Sequence, residues 1–515
     1  MRKKFEFGIE KQSGNITLFL ALVLTLIFSL LFSLLEASRI EGLAALAKRN
    51  LQLRLESTFG WYHLPLWENY GLLFLDGSNE EGRFDVPMLE GRMMEEDALE
   101  QRGVSFYQMA LKDMEISGYL LATDEKGTVF QAQACKAAKE QIGADILEEI
   151  SEQTRKGKEL INDRKKNQEK WNLAKDAAAS AEAIEAQGES QKEVVKEKQD
   201  SEWKQEETGS VQTEKELPEN PMDVVNMWKS SPILAMVVEN PSQISSKTVS
   251  NEDNLKERKK EVGNLTGLKK EVLDKLWFIQ YLNYYFSCQN GAGEGGSKTH
   301  ALDYELEYCI GGKSSDQENL ERTVKELLLL REAGNFTTIM QDSKKQALAL
   351  EMAITAVGFT GIAPLIQAVQ IGILLAWSYI ESVLDVRCLL AGGKVPLVKT
   401  VSEWKSDIFS GKKALEEKTE KPKDDRGLTY REYLQILLLT VKQERLAYRA
   451  MDIMEKNTRM VSGEEHFSMD HLIQGIEAKA LYGANSLFLA FVPGVNIKDG
   501  GYEFHSRRQF YYSCQ

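Results

Sequence analysis

Gly291-x-Gly293-x-x-Gly296 has the spacing of a dinucleotide-binding loop, in which glycine lets the backbone approach a pyrophosphate. Such a loop needs a strand before it and a helix after it. Here the sequence predicts a helix before the glycines and a strand at 303–308 after them. We therefore interpret this segment as a flexible loop and assign no cofactor to it.

Two further patterns also fall short of a chemical site. Gly312-Lys313-Ser314 has the end of a phosphate-binding loop, but Glu307 occupies the position that requires the first glycine. No G-x-S-x-G nucleophile elbow of the hydrolase type occurs in the sequence. The sequence therefore predicts no catalytic residue.

One short segment is dense in titratable groups and includes histidine. Its members are Glu464, Glu465, His466, Asp470 and His471. The histidines are five residues apart, so a helix would place them on different faces, and there is no H-E-x-x-H motif. The prediction is a solvated loop between helices, without a metal ion.

A polar block of Glu381, Asp385 and Arg387 directly follows a long uncharged segment. On a helix Glu381 and Asp385 share a face, whereas Arg387 must pair elsewhere or at the helix end. We predict that the three residues lie close together and have a structural role. They would hold the apolar helix against the glycine turn at 392–393.

The uncharged segment itself, Ala353 to Ile380, is long enough to cross a membrane. It also contains Pro364, three glycines and two glutamines, which favour a buried helix of a globular domain. Both interpretations remain open from the sequence, and the buried helix is preferred.

The N-terminus predicts a membrane anchor. Four of the first eleven residues are Lys or Arg, and the uncharged run Ile16 to Leu35 follows. A helix of that length spans about 30 Å, the thickness of the hydrocarbon layer. The positive-inside rule places the N-terminus in the cytoplasm and the remainder outside.

The N-terminal segment can be compared with a secretory signal peptide and with a prepilin leader. A secretory signal has an apolar region of about 7–15 residues and a small-x-small cleavage site, whereas this run is longer and ends in Leu35-Glu36-Ala37-Ser38. Retention of the helix is therefore predicted. The basic leader ending in Gly14, followed by Asn15 and the apolar helix, has the layout of a prepilin leader, which is cut on the cytoplasmic side.

Small residues recur every four positions along the apolar run. They are Thr17, Ala21, Thr25, Ser29 and Ser33. Such a ridge lets two membrane helices approach closely. Alternatively, the hydroxyl groups bond to the carbonyl four residues earlier and have no partner helix. We favour a partner or self-association.

Local patterns predict an α+β protein dominated by helices, with small antiparallel sheets. The sequence divides into a cytoplasmic leader, a transmembrane helix, a stalk with the first ectodomain part, a charged helical arm with a disordered linker, and a second ectodomain part, at 1–15, 16–35, 36–130, 131–221 and 222–515. Strands are predicted at 71–76, 114–123 and 502–512, with a turn at 124–127. Helices are predicted at 36–57, 270–287, 315–332 and 429–460.

Composition limits the classes of function. The net charge of −14 argues against a nucleic-acid-binding surface. Five widely spaced cysteines form no C-x-x-C pair, so a zinc ribbon, a thioredoxin-type motif and a dense disulfide framework are not supported.

The opening residues 11–23 and 35–39 resemble the start of tight-adherence (Tad) pilus minor pseudopilins. Inner blocks at 304–316, 376–396 and 430–433 resemble an uncharacterised Gram-positive family of large Tad-like single-span membrane proteins. The resemblance covers most of the chain outside 131–221. It implies a cell-surface location and protein partners in a pilus or secretion assembly. Where pilins that enter a fibre usually carry Glu, five residues after Gly14, this chain has Phe19.

The sequence therefore predicts a non-enzymatic, membrane-anchored extracytoplasmic protein that belongs to or assists a Tad-like assembly. An extracytoplasmic sensor or adhesion receptor is the alternative. Because the predicted cytoplasmic portion has only about 15 residues, such a receptor would need a membrane partner for its output.

Overall fold

The computed structural model describes residues 13–95, 106–141, 232–265 without 239, 275–406, 426–489 and 501–512, with single positions between 152 and 176. The described chain forms two compact units. The first comprises Met1–Gln133, Lys260–Glu271 and His466–Gln515, and the second comprises Ala134–Lys259 and Val272–Glu465. Most of the predicted charged arm, and all of the predicted linker at 187–221, lie outside the described residues.

Helices dominate both units, as predicted. The helices are α1 (Ser13–Phe59), α2 (Leu64–Tyr70), α3 (Val86–Glu95), α4 (Asp124–Gln141), α5 (Ile233–Val237), α6 (Lys275–Tyr285), α7 (Glu305–Gly311), α8 (Asp316–Ile339), α9 (Ser343–Val357), α10 (Ala363–Leu390), α11 (Tyr430–Leu438) and α12 (Gln443–Thr458). The strands are β1 (Leu75–Asp76), β2 (Ala110–Leu121), β3 (Leu472–Asn485) and β4 (Gly501–Tyr511).

The first unit is built on one antiparallel sheet. β3 is its central strand, with β2 on one side and both β1 and β4 on the other. The register places Ala480 of β3 opposite Met114 of β2 and Ser506 of β4. β2 and β4 confirm the predicted strands, whereas the predicted strand at 71–76 shortens to two residues. The sequence analysis did not predict β3.

The C-terminal half of α1 packs against this sheet. Its buried side chains lie on one face and join apolar side chains of β2 and β3 in a common core. On the helix they are Ala47, Leu51, Leu55 and Phe59, each at most 4% exposed. The chain after the apolar run is thus helical, as predicted, and one side of that helix is buried.

The turn at 124–127 is confirmed. Glu125, Lys126 and Gly127 all have positive φ angles, of 50°, 64° and 78°. Residues with side chains rarely adopt this conformation. The Asp124 carboxylate holds the turn, because it accepts hydrogen bonds from the backbone N–H groups of Leu121 and Gly263.

The second unit is helical, with α8 and α9 both packed on α10. The predicted strand at 303–308 is wrong, because these residues lead into helix α7. Apolar and acidic residues alternate from Tyr304 to Tyr308, but all five side chains are buried. A strand with one buried face would instead expose every second residue.

Two predicted helices have different bounds in the structure. α8 does not end before Gly334 but continues to Ile339, and a Cβ at Gly334 would lie 3.3 Å from the carbonyl oxygen of Leu397. This glycine therefore permits close packing. The helix predicted at 429–460 is two helices, separated at Lys442, whose ψ of 135° is extended. The first begins at Thr429 with a complete capping box to Glu432.

The uncharged segment at 353–380 is also divided. α9 ends at Val357, Gly361 takes a left-handed φ of 67°, and α10 begins at Ala363 with Pro364 in its first turn. Glycine and proline have their usual helix-stop and helix-start roles here. In the most apolar window of α10, 61% of the residues are buried inside the protein, as in the core helix of a globular domain.

Candidate functional site

α1 carries a long apolar surface at its N-terminal half. The helix has 47 residues and is therefore about 70 Å long. The side chains of Ile16, Leu18, Leu26 and Leu34 are 64–70% exposed. The helix is long and apolar enough to cross a membrane. Gly14 and Asn15 lie in its first turn.

The small-residue ridge lies on this exposed half. The Thr25 hydroxyl donates to the carbonyl of Leu22, and the Ser33 hydroxyl donates to the carbonyl of Ser29, both at 2.8 Å. These bonds satisfy the hydroxyls within the helix, so their hydrogen-bonding groups need no partner helix. Close packing of small side chains against another helix remains a prediction.

A buried ion pair marks the end of the apolar run. Glu36 and Arg39 lie one helical turn apart, with 3.0 Å between Oε1 and Nη1 and at most 4% exposure of either side chain. The Glu36 carboxylate also accepts hydrogen bonds from the backbone N–H groups of Leu487 and Phe488. The charged groups nearest the apolar run are therefore neutralised inside the first unit.

Arg39 also binds backbone carbonyl groups of two other segments. Its Nε donates to the carbonyl of Phe106 at 2.7 Å, and its Nη1 donates to the carbonyl of Asn485 at 2.9 Å. The pair thereby binds two loops, one before β2 and one after β3, to the same turn of α1. The sequence alone does not reveal this arrangement, because the loop partners of Glu36 and Arg39 are distant in sequence.

The predicted polar block forms part of a buried cluster in the second unit. Asp385 accepts hydrogen bonds from Arg331, Asn335 and Lys399, and Lys399 also contacts Glu381. Burial alone would raise the pKa of Asp385, but Arg331 and Lys399 outweigh that effect and lower it. Likewise, Asp385 and Glu381 raise the pKa of Lys399 despite its burial.

The cluster joins several elements. Arg331 of α8 donates to the carbonyls of Pro396 and Leu397 and to the hydroxyl of Tyr433. Glu381 accepts from the backbone N–H groups of Lys405 and Ser406. The chain after α10 is thereby attached to the helices, which supports the structural role expected of Glu381 and Asp385.

Arg387 does not join this cluster. Its Nε donates to the carbonyl of Met236, in α5, at 2.6 Å, and the side chain is partly buried. The prediction that all three residues lie together is therefore wrong for Arg387, because two further positions along a helix turn the side chain away. The cations that do contact Glu381 or Asp385 are Arg331 and Lys399, which were not predicted. No local spacing links them to Glu381.

Buried carboxylates elsewhere in this unit also bind loop backbone. Glu305 accepts from the N–H of Ser287, and Glu307 accepts from the N–H of Gln289 and the hydroxyl of Tyr430. Burial raises the pKa of Glu307 to about 7. Both of the hydrogen bonds to Glu307 go to Oε1, and the buried Oε2 of Glu307 has no hydrogen-bond partner among the described residues. Raised carboxyl pKa values also occur at catalytic sites.

The glycine-rich loop has a packing explanation. A Cβ on Gly293 would lie 2.5 Å from the carbonyl oxygen of Tyr284, and one on Gly296 would lie 1.9 Å from that of Tyr285. The loop thus lies directly against the end of α6. The other phosphate-like motif is also fixed locally, since Gly312 ends α7 with a left-handed φ and the Lys313 N–H donates to Asn319.

The histidine-containing segment is only partly solvated. Glu465 and His466 are exposed, but Asp470 is buried and accepts from the N–H of Glu261. His471 pairs through Nδ1 with the hydroxyl of Ser78 at 3.0 Å. Within the ranges that the structure describes, no group of three His, Cys, Asp or Glu side chains is placed to hold a metal ion.

Comparison with known proteins identifies a family. Residues 211–484, just over half of the chain, match the model of a protein family of unknown function. No curated protein and no solved structure matches the chain.

Proposed function

The chain belongs to the family of unknown function DUF5702, and we propose that it is a non-enzymatic membrane-anchored extracytoplasmic protein. The observation that carries this proposal is the single helix α1, exposed and apolar at one end and part of a globular core at the other. Exposed apolar surface of this size needs lipid or another apolar helix around it. Rigid continuation into the sheet would fix the first unit close to the membrane.

A structural role is supported by the use of the buried acidic residues. Glu36, Glu305, Glu307, Glu381 and Asp470 each accept a backbone N–H from a loop. Such carboxylates are committed to holding the fold. A general acid or base would instead have to reach a substrate.

We further propose that the protein assists a Tad-like pilus or secretion assembly. The resemblance of residues 11–23 and 35–39 to minor pseudopilins suggests this system. Phe19, in place of the Glu that fibre subunits usually carry, favours an accessory over a fibre subunit. An extracytoplasmic sensor or adhesion receptor, acting through a membrane partner, is the second candidate.

Membrane topology gives the first test. A reporter fused after Gln515 should be active outside the cytoplasm and inactive inside, and alkaline extraction should leave the full chain in the membrane. Activity only in the cytoplasm would contradict the proposed topology. Release by alkali would contradict anchoring.

Partner identification separates the two roles. Cross-linking in intact cells followed by solubilisation should recover pilus or secretion components with the wild type. Recovery of a signalling protein instead would favour the receptor. The mass of the mature protein would show whether the Gly14–Asn15 bond is cut.

A further inference from the structure

Two loops of the first unit bring aromatic side chains to the end of the apolar run. The ring of Phe488 stacks on that of Phe32, with centroids 6.1 Å apart and an interplanar angle of 13°. Phe106 contacts Phe488 at 5.4 Å and Tyr107 at 5.1 Å. These rings form a continuous cluster that begins on α1 itself.

This aromatic cluster extends along α1 into the apolar run. Phe32 lies three residues before Leu35, which is about 4.5 Å along the helix axis into the apolar run. Because Phe488 lies beside Phe32, the loop reaches past the charged residues at 36 and 39 toward the apolar segment. If lipid surrounds the apolar run, it must also meet this loop.

The loop tips remain uncovered by the described protein. Phe106 is 40% exposed and Leu487 44%, and on α1 Leu34 and Leu35, which precede Glu36, are 64% and 38% exposed. Contiguous apolar surface next to a membrane helix is unfavourable in water, and aromatic side chains are preferred at the level of lipid headgroups.

The polar groups behind these tips are already satisfied. The N–H groups of Leu487 and Phe488 donate to Glu36, and the carbonyl of Phe106 accepts from Arg39. Backbone that enters a region poor in water must have such partners. Because Glu36 and Arg39 pair with these backbone groups, both loops can approach lipid without leaving an N–H or carbonyl group unpaired at these positions.

We propose that Phe106, Leu487 and Phe488 insert into the headgroup region of the bilayer and hold the first unit directly on the membrane. The partner of this surface is lipid, because the surface is continuous with the helix that lipid surrounds. This inference rests on the proposed membrane anchoring and adds a second, peripheral contact with the same bilayer.

Nitroxide labelling of the full-length chain tests the proposal. The chain is reconstituted in vesicles of phosphatidylcholine and phosphatidylglycerol, with Cys514→Ser to remove one labelling site whose surroundings are not described. Cys135, Cys288, Cys309 and Cys388 are buried, and the chain without a substituted label site reports any labelling of them. Labels are placed one at a time through Leu487→Cys, Phe106→Cys, Trp61→Cys and Leu24→Cys.

Trp61 is the matched control, since it is 40% exposed and follows the far end of α1, about 36 Å along the helix from Leu35. For the labels at 487 and 106, the ratio of collisions with oxygen to collisions with a water-soluble nickel complex should be several-fold higher than for the label at 61. If both labels give the same ratio as the label at 61 while the label at 24 is protected from nickel, membrane anchoring stands and the proposed insertion of the loops is overturned. If the label at 24 also collides freely with nickel, both the anchoring and the loop insertion are contradicted.

Discussion

The carboxylate of Glu36 accepts a hydrogen bond of 2.8 Å from the backbone N–H of Phe488, 452 residues later in the chain. Glu36 stands one residue after the apolar run of α1, and Phe488 stands in the loop that follows β3. A single carboxylate therefore connects the start of the folded first unit to its C-terminal part. Glu36 is also paired with the buried Arg39, so the contact is a charge-assisted hydrogen bond. We call this contact the clamp.

Glu36→Ala should release the loop around Phe488. A hydrogen bond to a charged group contributes about 1.5–3 kcal/mol, and Arg39 would lose its neutralising partner. Amide exchange at Leu487 and Phe488, measured by mass spectrometry on the full chain in nanodiscs, should become faster. The exposed Glu41→Ala serves as control. Unchanged exchange in Glu36→Ala would show that the clamp does not hold the loop.

Arg331→Met should destabilise the second unit by about 3–5 kcal/mol, because Asp385 then stays buried with fewer partners. Arg387→Met should cost much less, since Arg387 is partly buried and bonds a carbonyl. Urea unfolding of both variants under identical conditions measures the difference. If both variants lost the same free energy of unfolding, the cluster around Asp385 would contribute no more to stability than the contact of Arg387.

Glu307→Gln should change how stability depends on pH. The pKa of Glu307 is about 7 in the fold against an ordinary value of 4.5. Between these values the folded chain binds a proton that the unfolded chain has released, so the free energy of unfolding falls as pH rises. The variant should match the wild type near pH 4.5 and exceed it above pH 7 by at most about 3 kcal/mol.

Urea unfolding at several pH values measures this difference. The exposed Glu351→Gln is the control and should reproduce the wild-type slope. A Glu307→Gln curve parallel to the wild type across the whole interval would contradict the raised pKa.

Gly296→Ala should destabilise the second unit more than Gly295→Ala. The new methyl group at 296 would meet the carbonyl of Tyr285 in the backbone, whereas at 295 it would meet the ring of Tyr284, which can move. Thermal unfolding of the two variants compares them directly. If Gly296→Ala keeps the wild-type melting temperature, packing does not explain this glycine.

Bulky residues on the small-residue ridge should weaken helix association in the membrane. Ser29→Leu with Ser33→Leu keeps the helix apolar but prevents close approach, and loss of fit should dominate because membrane hydrogen bonds average only about 0.6 kcal/mol. Co-purification of differently tagged copies, or of a membrane partner, measures association. Ile27→Phe with Leu34→Phe, on the opposite face, is the control. If the two double variants co-purify their partners equally well, the small-residue ridge does not mediate association and the helix serves only as an anchor.

The sequence by itself determined the elements whose signals are local. The apolar run at 16–35, the turn at 124–127, the start of α8 at Ser315 and the strand near 502–512 all depend on neighbouring residues. The hydroxyl of Ser315 accepts from the N–H of Glu318, as its spacing predicts. Such signals survive because helix caps and periodic apolar runs act within one or two turns.

Only the tertiary structure decided which distant groups meet. Glu381 and Asp385 share a helix face, as their spacing predicts, but their cations come from α8 and from Lys399. β3 escaped prediction because its nearly complete burial hides the alternation that marks a half-exposed strand. Glu36 finds its backbone partners only after the chain folds back. The energies that fix these pairs depend on distance and burial in space, and neither is encoded in the order of neighbouring residues.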